Sequence, residues 1–166
     1  MILYLAIDTS GSMVESDKRL IARSVALAIS QYCRLGYANV TVRLLAAGEA
    51  PRTVEWNDGD EYPVELLNCS GKIDMQSLFG QLELKDNKLI FVTDGVWDAI
   101  EKKSFETMAG SSPKDSLRII KVGLEPSHLL QSCKLRKIVF DAEEFLEALD
   151  GWIDMPADNG GEVDEW

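Results

Sequence analysis

The stretch LAIDTSGSM, residues 5–13, marks the point where an apolar run gives way to oxygen-bearing side chains. It completes the continuous apolar segment ILYLAI (2–7). Such a run suits a strand buried on both faces of a parallel sheet better than one that alternates between core and solvent. The run stops at Asp8, and Asp8, Ser10 and Ser12 then occupy alternate positions around Gly11. Alternate side chains of an extended segment share a face, so one carboxylate and two hydroxyls point into the same space.

Outward from this stretch, strand and helix patterns alternate. SDKRLIARSVALAISQYCRLG (16–36) repeats apolar residues at helical spacing, with Ser16 as its cap and Gly36 as its stop. NVTVRLLAA (39–47) is rich in β-branched residues and reads as a second strand. RTVEW (52–56) and YPVELL (62–67) flank NDGD, a hairpin-like arrangement in which Pro63 belongs at a sheet edge. A short helix is expected at 74–82, a buried strand at KLIFV (88–92), a helix at 98–108, and strands at 117–123 and 137–140. The last helix starts at Asp141 with Glu144 three residues on, turns Phe145, Leu146, Leu149, Trp152 and Ile153 inward, and ends before Pro156. The pattern predicts an α/β fold: a doubly wound, mostly parallel sheet flanked by helices, with one antiparallel edge strand. One domain is expected over residues 1–154, followed by an acidic, flexible segment over 155–166.

Charge and cysteine content narrow the function. The net charge is −11, but from Asp141 onward there are ten acidic and no basic side chains, which leaves 18 acidic and 17 basic in the first 140 residues. No basic face is concentrated for phosphate binding, so nucleic acid is excluded as a partner. Cys33, Cys69 and Cys133 are odd in number and widely spaced, which argues against a disulfide framework and for a reducing, cytoplasmic setting. With His128 as the single histidine, there is no cluster of zinc ligands and little case for histidine catalysis. ILYLAI is too short to span a membrane, and no membrane partner is expected.

In open α/β sheets ligands bind beyond the carboxyl ends of the strands. Two strands end there in aspartate: Asp8, and Asp94 in FVTDG (91–95). Two carboxylates and two hydroxyls suit an octahedral Mg²⁺ or Mn²⁺ with water completing its shell. The same residues also read as a loop that caps the following helix, TDG also reads as a plain turn, and Asp74 reads as a helix N-cap. Trp97 reads either as core or as an exposed anchor beside the site.

DTSGS (8–12), between a first strand and a long helix, resembles the Asp-x-Ser-x-Ser signature of von Willebrand factor A domains. FVTDG is similar to the family's second aspartate, SGKIDMQSLF (70–79) to its middle loop, and RIIKVG (118–123) to the strand that follows. The resemblance covers roughly residues 1–153. It implies a metal-ion-dependent adhesion site in which Asp8, Ser10, Ser12 and Asp94 hold Mg²⁺ or Mn²⁺, the two aspartates through water. A partner protein's acidic side chain then completes the shell. Ile73 stands where the family has a threonine, so Asp74 or Ser70 would have to supply the missing oxygen. For a small, stand-alone, bacterial member the resemblance implies a non-enzymatic adaptor in a multiprotein complex, with an AAA+ ATPase or in a stress or defence system.

The competing class is a Mg²⁺-dependent phosphoryl-transfer enzyme with Asp8 as nucleophile. That chemistry needs a second acid two residues later, and Ser10 stands there instead.

Overall fold

The computed structural model describes residues 1–37, 39–124 and 135–154. His128, Cys133, Pro156 and the acidic segment 155–166 lie outside these residues. Among the described residues six strands form one sheet: β1 (Ile2–Asp8), β2 (Thr41–Ala47), β3 (Arg52–Val54), β4 (Lys88–Thr93), β5 (Leu117–Lys121) and β6 (Val139–Asp141), in the order β3-β2-β1-β4-β5-β6. All neighbours pair in parallel except β3, which runs antiparallel to β2 at the edge. The helices are α1 (Lys18–Tyr32), α2 (Met75–Gly80), α3 (Ala99–Ser111) and α4 (Phe145–Leu149). The chain builds outward from β1 to β2 and β3, then returns to the other side of β1 to add β4, β5 and β6. The order therefore reverses between β1 and β4, and this is the switch point at which such sheets open a crevice.

The continuous apolar runs of β1 and β4 are explained by cores on both faces of the sheet. On one face Leu3, Leu5, Ile7, Ile90 and Val92 pack against Ala22, Val25, Ala26 and Ile29 of α1 and against Leu149, Trp152 and Ile153 near the C-terminus. On the other, Tyr4, Ala6, Leu89 and Phe91 pack against Met75, Leu78 and Phe79 of α2 and Phe105 of α3. Trp97 belongs to this second core. It is 5% exposed, stacks on Phe91 at 5.7 Å between ring centroids and lies 4.8 Å from the Phe105 ring. It is a core residue and not an exposed anchor.

Several boundaries differ from the sequence reading. The NDGD turn forms: Asn57 N–H donates to Asp60 Oδ2 at 2.9 Å, and Gly59 takes φ +85°. Its return arm is not a strand. Pro63 has no N–H to give a ladder, and Val64–Leu67 close into a 3₁₀ turn. Trp56 and Tyr62 instead meet edge to face across the turn, at 5.9 Å. α1 begins at Lys18 rather than at Ser16, after a 3₁₀ segment, Gly11–Asp17. Ser16 and Asp17 both adopt left-handed backbone, at φ 52° and 53°. At its far end α1 widens into a π turn, Cys33–Tyr37, which runs through Gly36. Asp141 and Glu144 form the expected capping box, but α4 stops at Leu149 and Leu146 is exposed.

Trp97→Ala removes the centre of an aromatic cluster and should cost about 3–5 kcal/mol of stability in urea denaturation. A loss below about 1 kcal/mol would place this ring at the surface.

Candidate metal centre

The site is built from the ends of two adjacent strands. Register pairs Ile7 with Val92, so Asp8 comes beside Thr93 at the carboxyl rim, and Asp94 follows directly. Asp8 is fully buried and both its oxygens are engaged: Ser10 N–H donates to Oδ1 at 2.8 Å and the Thr93 hydroxyl donates to Oδ2 at 2.6 Å. The Thr93 oxygen in turn accepts Gly95 N–H at 3.0 Å, which fixes its rotamer. Ser10 precedes the 3₁₀ segment, yet its side chain makes no capping hydrogen bond. Its hydroxyl lies 3.3 Å from that of Ser12. The alternation of donors thus survives folding, and the helix-capping reading of Ser10 does not describe it.

Electrostatics at this rim are under tension. Burial, with the nearby Asp94 carboxylate adding to it, pushes the Asp8 carboxyl up to about 6. Asp94 is compensated differently. Its Oδ1 accepts Val96 N–H at 3.0 Å, and its Oδ2 accepts from the ammonium of Lys18 at 3.1 Å. The two side chains of that pair are 1% and 0% exposed. Lys18 is thus a buried cation reaching into the rim from the first residue of α1.

The middle loop is laced to the first one by backbone alone. Gly11 N–H donates to Gly71 O and Ser70 N–H to Thr9 O, both at 2.9 Å. At Gly71 the φ of +67° disfavours any side chain, and an added Cβ would also have to displace the Glu49 carboxylate. Ile73 turns its side chain into the second core, and its N–H donates to Glu101 Oε2 at 3.0 Å. Asp74 caps α2: its carboxylate accepts the Ser77 N–H at 3.0 Å and the Ser77 hydroxyl at 2.8 Å. Ser70 is exposed on the laced loop. Among the described residues no three acidic, cysteine or histidine side chains converge as a metal cluster, so Asp74 is not gathered with Asp8 and Asp94.

At this rim Asp8 lies close enough to the Asp94 carboxylate to feel its charge and beside Ser10, whose hydroxyl meets that of Ser12. Adjacent ligands on an octahedral ion with bonds of about 2.1 Å are about 3 Å apart, and the hydroxyl separation of 3.3 Å fits this. Two participants escaped the sequence reading. Thr93 sits within an all-buried strand where a hydroxyl gives no separate signal. Lys18 stands among the charged residues that open the stretch SDKRLIARSVALAISQYCRLG. Its signal was the spacing 18, 22, 25, 26 and 29, which puts it on the buried stripe of α1.

Neither a protein-family model nor a curated protein matches the chain by sequence. Solved structures do match its fold. A von Willebrand factor type A protein from Catenulispora acidiphila superimposes with a TM-score of 0.63 at 18% identity, over 92% of this chain and 42% of that one. Manganese-loaded TRAP from Plasmodium vivax gives 0.57 at 16% identity, over 93% and 73%. Proximal thread matrix protein 1 from mussel byssus, with zinc in its metal-ion-dependent adhesion site, gives 0.53 at 10% identity, over 89% and 44%. The chain therefore spans well under half of the Catenulispora protein. With the strand order and the single antiparallel edge strand, these matches establish the von Willebrand factor A fold.

Because Asp8 holds its proton more tightly when folded, its protonated form stabilises the fold at low pH, and that contribution is lost as pH rises from about 4 through about 6. With chelator present, the stability of wild type relative to Asp8→Asn should fall by up to about 3 kcal/mol across this window, read by urea denaturation. A flat difference would mean that the Asp8 carboxylate is not held away from water.

Proposed function

We propose that this domain is a non-enzymatic protein-interaction module that takes up a divalent ion, Mg²⁺ or Mn²⁺, at Asp8, Ser10, Ser12 and Asp94. The ion's open position then receives an acidic side chain of a partner protein. The observation that supports this reading is that β1 and β4 end side by side where strand order reverses, with Asp8 and Asp94 near enough to interact and the Ser10 and Ser12 hydroxyls in contact beside Asp8. The manganese and zinc found in two proteins of the same fold support it.

The rim also suits a protein ligand. Val14, Val96, Ile100 and Leu124, on segments beyond the carboxyl ends of β1, β4 and β5, are 43%, 45%, 78% and 98% exposed. An acidic residue set among apolar neighbours matches a cation bordered by such side chains. Asp8 itself is buried with both oxygens accepting hydrogen bonds, and so is poorly presented as a phosphoryl-transfer nucleophile. No helix among the described residues is long and apolar enough to cross a membrane. An adaptor in a cytoplasmic assembly, with an AAA+ ATPase or in a bacterial stress or defence system, is the setting this reading favours.

Mn²⁺ at about a hundredfold above its dissociation constant should raise the wild-type melting temperature by about 5–10 °C, and should leave Asp8→Ala and Ser12→Ala unmoved. An equal rise in all three proteins would put the ion elsewhere. Hydrolysis of a generic phosphomonoester that disappears in Asp8→Ala would replace the adaptor reading with an enzymatic one.

A further inference from the structure

Lys18 has no part in the ligand set, yet it holds the one Asp94 oxygen that no backbone group occupies. Among the described residues, two carboxylates and one ammonium are thereby brought together at the rim. A divalent ion added beside the ammonium would place two cations against the same Asp94 carboxylate and repel the ammonium. With the ammonium withdrawn, the ion faces the two described carboxylates, Asp8 and Asp94, without that repulsion. The metal and Lys18 are therefore alternative counter-ions of Asp94.

The backbone ahead of Lys18 supplies a second observation. Ser16 and Asp17 are consecutive non-glycine residues in the left-handed region, at φ 52° and 53°, and they directly precede Lys18. Asp17, at the N-cap position of α1, makes no side-chain capping bond to offset that conformation. Strained non-glycine residues persist only where their surroundings impose them. Here they turn the chain so that the first side chain of α1 points inward. Release of this strain favours the opposite movement.

We propose that Lys18 is a built-in cation that occupies Asp94 in the metal-free protein and must withdraw, on the Ser16–Asp17 hinge, before a divalent ion takes its place. Lys18 thus sets the divalent-ion affinity of the site. The inference rests on the divalent-ion reading of Asp8, Ser10, Ser12 and Asp94 given above.

The test compares Mn²⁺ dissociation constants, read by electron paramagnetic resonance of the free ion, for wild type, Lys18→Met and Lys18→Gln. Lys72→Met serves as control, because Lys72 is an exposed lysine paired with Asp98, and its loss removes one positive charge without touching Asp94. Lys18→Gln keeps a hydrogen-bond donor near Asp94, so it reads the effect if Lys18→Met does not fold. Either Lys18 variant should bind Mn²⁺ at least tenfold more tightly than wild type, with Lys72→Met unchanged. In wild type, acylation of Lys18 by acetic anhydride, mapped by peptide mass spectrometry, should be slow without metal and fast at saturating Mn²⁺. Equal affinity in wild type and Lys18 variants, an equal gain in Lys72→Met, or Lys18 still protected at saturation would overturn the role of Lys18 and leave the metal site standing. Absence of Mn²⁺ binding in every protein would overturn both.

Discussion

Two carboxylates buried side by side at the rim of one sheet are the constraint from which the rest of this site follows. A buried charge is costly unless it is neutralised, paired or fully hydrogen-bonded. The protein solves the two cases separately. Asp8 is held by the Ser10 amide and the Thr93 hydroxyl and has an increased hold on its proton. Asp94 is met by the Val96 amide and by an ammonium carried in from α1. Ser16 and Asp17, both in left-handed backbone, directly precede the buried Lys18.

The sheet topology explains why the carboxylates meet at all. Parallel pairing sets the ends of β1 and β4 side by side, and the reversal of strand order between them opens the space above. The first and middle loops are then joined by backbone hydrogen bonds from Gly11 and Ser70, so the hydroxyls of Ser10 and Ser12 are positioned by main chain rather than by packing. The middle loop gives its side chains to other tasks: Ile73 to the core, Asp74 to the cap of α2, and Lys72 to an ion pair with Asp98 at the start of α3. A metal at this rim would have fewer protein oxygens than the full adhesion-site pattern provides, and the buried ammonium stands on the same side of that balance.

Much of this was legible in the residues. The unbroken apolar runs ending at Asp8 and Asp94 announced central parallel strands, because only strands covered on both faces tolerate them. The alternation of Asp8, Ser10 and Ser12 announced a shared direction, and the hydroxyls of Ser10 and Ser12 do meet. What stayed hidden depended on tertiary placement. The arm after NDGD had strand-like composition, but Pro63 and the Trp56–Tyr62 contact favoured a turn. Trp97 had two readings until Phe91 and Phe105 were seen to enclose it. Lys18 was hardest, since a lysine at a helix start is almost always solvated and only its place on the buried stripe of α1 set it apart.

Anomalous scattering from crystals grown with Mn²⁺ is the most direct measurement of whether this rim holds a divalent ion. A single peak within coordination distance of the Ser10 and Ser12 hydroxyls, with Asp8 and Asp94 facing it directly or through water, is the predicted result. No peak at the rim in crystals saturated with Mn²⁺, or a peak bound only by other side chains, would contradict it.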